Sequence, residues 1–140
     1  MNNILVDTNV LIYAFDETSD FYKKAAELMQ NEDLNLFVTT KNISEFFAVC
    51  SKLKLNFAKT LGFYQDLKNN VEIIKPTDQS LNYFEILIQK YQTKGNQVYD
   101  IEIASMMLAH DIKSIATANT KDFINVTEIE IYNLSQNNNK

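Results

Sequence analysis

The sequence predicts an α/β fold, a three-layer α/β/α sandwich around a central parallel sheet of four to five strands. Three observations carry that expectation. Short apolar runs of strand length alternate with longer segments whose apolar residues recur at helical spacing. Polar or acidic residues stand just past the strands or at the starts of the following helices. One proline and two glycines in 140 residues leave little punctuation from which to cut a second domain, so one domain over residues 1–134 is expected.

The elements follow in order. Ile4-Leu5-Val6 is the kind of apolar run that a fully buried parallel strand shows, and Asp7-Thr8-Asn9 closes it abruptly. Val10 to Phe15 is apolar on every side and begins a short buried helix capped by Thr8 or Asn9. Phe21, Ala25, Leu28 and Met29 mark a helix within 20–31, and Leu34 to Val38 a second strand ending in Thr39-Thr40. Ile43, Phe46, Phe47, Cys50 and Leu53 then recur at helical spacing as one broad apolar face.

Asn56 caps the next helix, with Phe57, Leu61, Tyr64 and Leu67 expected inward. Val71 to Ile74 is a third strand halted by Pro76. Thr77 or Asp78 caps a helix that carries Leu81, Phe84, Leu87, Ile88 and Tyr91 and stops at Gly95. Asp100 opens a helix to about His110, Ser114 to Thr117 is strand four, and Ile129 to Tyr132 a fifth. The Asn- and Gln-rich residues 135–140 read as a disordered tail.

Composition narrows the classes. No apolar run approaches the ~18 residues of a membrane span, and the lone Cys50 cannot close an internal disulfide, so a cytoplasmic protein is expected. The net charge of −5 argues against a surface that coats nucleic acid. Residues 41–75 are nevertheless locally basic, with six Lys against three acids. All thirteen cations are Lys, so any phosphate contact is a point charge rather than a bidentate fork.

If the sheet is parallel, the ends of strands one, two and four share an edge. Asp7, Glu45, Asp100 and the stretch Asn119 to Asp122 would then gather there. Carboxylates brought that close repel one another and raise one another's pKa. A hard cation removes the repulsion, and oxygen-only ligands select Mg²⁺ or Mn²⁺. With a single His110, this chemistry is phosphoryl transfer rather than zinc hydrolysis. Each acid also has an ordinary structural reading. Asp7-Thr8-Asn9 and Asp100 are natural helix caps, and Asn42-x-x-Glu45 resembles a capping box. Cys50 reads as inert core, and Phe46, Phe47, Phe57 and Tyr64 as core or dimer contact rather than base-stacking rings.

These residues resemble a known family. Ile4-Leu5-Val6-Asp7-Thr8-Asn9-Val10-Leu11 is similar to the amino-terminal signature of PIN-domain ribonucleases, in particular the VapC-type toxins of toxin–antitoxin pairs. Ser44-Glu45-Phe46, Asp100 to Ala104 and Thr117 to Phe123 match the later motifs in order, so the resemblance spans residues 4 to about 132. It implies a Mg²⁺-dependent endoribonuclease (Mn²⁺ able to substitute) with Asp7, Glu45 and Asp100 as the acidic metal site. Asn9 would be a polar group beside the metal ligands or the substrate, and Thr117 would shape the pocket. The family's frequent fourth acid is replaced by Asn119, with Asp122 three residues on. Lys41, Lys52 and Lys54 are the candidates for steering the RNA backbone. The resemblance also implies a small cognate antitoxin and a homodimer. The rival expectation is a non-catalytic RNA- or protein-binding module on the same fold, its metal site weakened by Asn119. A receiver-type phospho-acceptor domain ranks lower, because Asp7 has no adjacent acid.

Overall fold

A computed structural model of the protein describes residues 2–134. The predicted tail at 135–140 lies outside them. Five strands, β1 (Asn2–Val6), β2 (Leu34–Thr39), β3 (Glu72–Ile74), β4 (Ser114–Thr117) and β5 (Glu130–Asn133), form one sheet in the order β3-β2-β1-β4-β5. Every pairing is parallel, with Leu5 opposite Phe37 on one side and Ile115 on the other. The helices are α1 (Thr8–Phe15), α2 (Tyr22–Met29), α3 (Thr40–Lys52), α4 (Phe57–Lys68), α5 (Asp78–Tyr91) and α6 (Gln97–Ala109).

Strand alternation divides the core between the two faces. Ile4 and Val6 pack with Val10, Leu11, Leu28, Phe46 and Leu67 under α1–α4, while Leu5 packs with Leu87, Ile101, Met107 and Ile115 under α5 and α6. The chain runs outward from β1 through β2 to β3, then returns over the opposite face to β4 and β5. The order therefore reverses between β1 and β4. Open α/β sheets form their ligand crevices beyond the carboxyl ends of strands at such a reversal.

Several local expectations need correction. Leu53, Phe57 and Leu81 are 55%, 68% and 55% exposed, not inward. Leu53 lies just past the end of α3, and in the first turns of α4 and α5 the residues turned inward are Thr60 and Ser80, which leaves Phe57 and Leu81 facing out. Gly95 does not stop α5; Gln92 does so in a left-handed conformation, and Gly95 (φ +59°) belongs to the turn that enters α6. Asp100 does not open α6, because the coil begins a turn earlier, with Val98 N–H donating to the Gly95 carbonyl. Asn56 and Thr77 are caps as expected. Cys50 is buried on the apolar side of α3, and burial pushes its thiol pKa up.

Candidate functional site

Asp7 stands where β1 becomes α1. Its backbone N–H makes the last bond toward β4, to the Ala116 carbonyl at 3.0 Å, and its extended backbone then makes it the cap of α1 in place of Thr8 or Asn9. The Thr8 N–H donates to Asp7 Oδ1 at 2.8 Å. The other oxygen, Oδ2, accepts from the Thr117 hydroxyl at 2.8 Å and from Asn9 Nδ2 at 3.2 Å. Asn9 Oδ1 in turn accepts the Ala118 N–H at 3.2 Å, tying the start of α1 to the end of β4. Asp7 is only 9% exposed. Burial raises its pKa, the Thr117 hydroxyl and Thr8 N–H oppose the rise, and the charges of Glu45 and Asp122 add to it. Three donors on two carboxylate oxygens still leave an acceptor site facing the cleft.

Glu45 is held in place by a route that its own sequence neighbours do not suggest. The cap of α3 is Thr39, with Asn42 at its third position, so Asn42-x-x-Glu45 is not the capping box. Thr39 takes that place because it ends β2 with extended backbone. The fully buried Asn42 also turns its amide outward, and Nδ2 donates to Thr8 Oγ1 at 2.9 Å. Thr8 Oγ1, accepting that bond, donates its own hydroxyl hydrogen to Glu45 Oε1 at 2.9 Å. A relay from Asn42 through Thr8 thus orients Glu45. The signal for it is Thr39-x-x-Asn42 directly after an apolar strand.

Asp100 lies in the first turn of α6, half-buried. Its pKa is raised to about 7, first by burial and then by the charges of Asp122, Asp7 and Glu45, while Lys41 pulls it down. Asp122 ends a short 3₁₀ turn, Thr120–Asp122, that follows β4. That turn carries Asp122 back over the sheet edge, where its charge is the strongest acting on Asp100. Asn119 precedes the turn, is exposed, and donates its backbone N–H to Thr117 Oγ1 at 3.0 Å. The acid missing at 119 is replaced, in charge, by the one at 122.

The three lysines expected to steer RNA fare unequally. Lys41 reaches the rim, but its ammonium is paired with Glu102 at 3.4 Å and sits 3.2 Å from the centre of the Tyr99 ring. Lys52 is exposed one turn beyond Ala48 and Val49, which line the cleft with Glu45. Lys54 falls in a left-handed turn (φ 60°) after α3 and is not part of the cleft wall.

Asp7, Glu45, Asp100, Asn119 and Asp122 line one cleft of about 470 Å³. A larger cavity of about 640 Å³, between α1–α2 and α4, holds none of them. Among the described residues no three His, Cys, Asp or Glu side chains already close around a single ion position. The residues fit a hard cation in charge and donor type: every donor is an oxygen, and two of the acids are held protonation-prone by burial and by their neighbours' charge.

The family model of the PIN domain matches residues 4–129. The chain belongs to the PIN-domain family. Solved structures share the fold. This PIN domain superposes on VapBC2 from Rickettsia felis, bound to a DNA fragment from its promoter, with a TM-score of 0.72 at 21% identity over 94% of this chain and 98% of that one. VapBC-1 from nontypeable Haemophilus influenzae gives 0.71 at 19% identity, covering 96% and 99%. VapC20 from Mycobacterium tuberculosis, described as a Sarcin-Ricin loop cleaving toxin, gives 0.64 at 13%, covering 80% and 86%. These identities place the similarity at the level of fold. No curated protein sequence is close enough to this chain to count as a match. Among the described residues, no helix is long and apolar enough to cross a membrane.

Proposed function

We propose that this PIN domain is a Mg²⁺-dependent endoribonuclease acting as the toxin of a toxin–antitoxin pair in the cytoplasm. The observation that carries the reading is the convergence of Asp7, Glu45, Asp100 and Asp122, from four separate elements, on one cleft at the point where strand order reverses. Asp7 and Asp100 would hold the ion directly, with Glu45 as a further ligand or the base that orients water, and Asp122 as the fourth charge. When bound, Mg²⁺ (or Mn²⁺) activates water and offsets the charge that builds on the phosphodiester during in-line attack. Thr117 and Asn9 hold Asp7 in a fixed orientation, and the Thr8 hydroxyl does the same for one oxygen of Glu45, leaving Oε2 for the cleft. The VapBC structures that share this fold support a small cognate antitoxin as partner, and RNA and a second copy of the chain complete the expected set.

Single-turnover RNA cleavage by the wild type and Asp7→Asn, each with and without Mg²⁺, tests the reading. Cleavage confined to wild type with metal supports it; equal rates in all four samples sink it. The neutral amide of Asn119, which lines the cleft where a further acid would add charge, favours the second reading, a binding module without turnover. That module would bind RNA or a protein partner saturably, with no cleavage and no response to chelator.

A further inference from the structure

A second cavity, about 310 Å³, opens on the far side of Asp100 and Asp122, which form part of its wall as well as that of the acidic cleft. Its wall sets two lysines beside those two acids. Lys94 and Lys121 line it, and neither ammonium has a hydrogen-bond or ion-pair partner among the described residues. Thr93 lines it too, and its Oγ1 is a buried hydroxyl with no hydrogen-bond partner among the described residues. A buried donor left unpaired costs free energy that a bound acceptor recovers. Left-handed residues flank this pair, Gln92 at φ 50° and Gly95 at φ 59°, and Gln97 N–H donates back to the Lys94 carbonyl at 3.2 Å. Local bonds therefore help to hold the loop.

We propose that this cavity seats the phosphate next to the one attacked in the acidic cleft, with Lys94 and Lys121 as its counter-charges and Thr93 as its hydroxyl donor. The inference rests on the nuclease reading and adds to it the place where the polyanion is gripped. A nucleic acid approaching four carboxylates needs cations beside them, since one metal ion neutralises only the phosphate it touches. The lysines picked from sequence serve less well. Lys41 is engaged by Glu102 and Tyr99, and Lys54 lies off the cleft. Lys94 and Lys121 come from the α5–α6 loop and the 3₁₀ turn, far apart in sequence yet on one wall.

The test uses the full chain carrying Glu45→Gln to silence cleavage, and a fluorescein-labelled RNA 12-mer of randomised sequence. Binding is followed by anisotropy in Mg²⁺ across a salt titration. Lys94→Gln with Lys121→Gln is expected to weaken binding about tenfold and to flatten the log–log salt dependence by about 0.7 for each phosphate no longer neutralised. Lys121→Arg should retain binding. Thr93→Val should weaken binding several-fold with the melting temperature unchanged or raised, because it deletes a hydroxyl that nothing in the free protein satisfies. If the Glu45→Gln protein binds RNA and the double lysine variant binds it equally well with the same salt slope, the pocket proposal is overturned and the nuclease reading stands. If wild type neither binds nor cleaves RNA, both are overturned. A Thr93→Val protein that melts lower yet binds normally overturns the assignment of that hydroxyl.

Discussion

Asp7 caps α1 and, in the proposed function, would also hold the ion with the same carboxylate. As a cap it must accept from backbone N–H, and as a ligand it must keep an oxygen lone pair for an ion; four acceptor positions on two oxygens accommodate both. The helix-cap reading and the metal reading of Asp7-Thr8-Asn9 are therefore compatible. Asn42 is the residue on which Glu45 depends at one remove. Replacing it with alanine leaves the Thr39 side chain and the Thr8 hydroxyl each short of a buried partner. Asn42→Ala should cost about 1–3 kcal/mol in denaturant unfolding. It should also lower single-turnover cleavage more than it lowers RNA affinity, because the Thr8 hydroxyl that orients Glu45 loses one of its two bonds while the surfaces that meet RNA stay intact. A loss of stability alone, with the rate intact, would show that the relay only builds α3.

Among the elements, the short turn after β4 matters most for its size. Phe123, 1% exposed, plugs it into the core beneath α6, and the Phe123 N–H closes on the Thr120 carbonyl. That anchoring is what keeps Asp122 beside Asp100. Phe123→Ala should cost about 3–5 kcal/mol. With Asp122 released, the Asp100 pKa should fall from about 7 toward the ordinary carboxylate range, measurable by an NMR pH titration of its side chain. An unchanged Asp100 titration in that variant would mean that burial and the charges of Asp7 and Glu45 hold the proton without Asp122. The turn is not legible in the sequence because three residues carry no periodicity, and Asn119 draws attention to the wrong position of the pair. Helix faces suffer a related error. The spacing places Phe57 and Leu81 on apolar stripes, but the hydroxyl residues Thr60 and Ser80 take the inward side of those turns, which apolar spacing does not register.

At the scale of the whole molecule, the return from β3 over the opposite face to β4 brings Asp7 and Thr117 side by side. It also gathers negative charge that the free fold tolerates poorly. Asp100 has a pKa of about 7 when folded against an ordinary value of 3.8, so between those values the native state holds a proton the unfolded chain has lost. Its contribution is fully present below about pH 3.8 and is lost as pH rises through about 7; the raised pKa of Asp7 acts in the same sense. Without divalent ions, the protein should lose on the order of 1–2 kcal/mol between about pH 5.5 and 8, after allowance for solvent screening of a half-buried group. Saturating Mg²⁺ or Mn²⁺ should reverse most of that loss at the higher pH, since an ion bound only by the native state stabilises it. Calorimetric melts across this range, with EDTA or with metal, check both. A melting temperature indifferent to metal at pH 8 would remove the main support for a cation in the cleft.

The sequence by itself determined the layered α/β class, all five strands to within a residue or two, the caps at Asn56 and Thr77, and the identity of acids that share the cleft. Those are properties of nearest neighbours along the chain: apolar run length, helical spacing and side chains that compete for backbone hydrogen bonds. Only the tertiary structure decided that β1 lies between β2 and β4, that Asn42 reaches Thr8 across 34 residues, that Asp122 rather than Asn119 faces Asp100 electrostatically, and that Lys94 shares a cavity wall with Lys121. Each of these depends on where the crossovers deliver distant segments. Crossover geometry is set by packing both faces of the sheet at once, which no local pattern encodes.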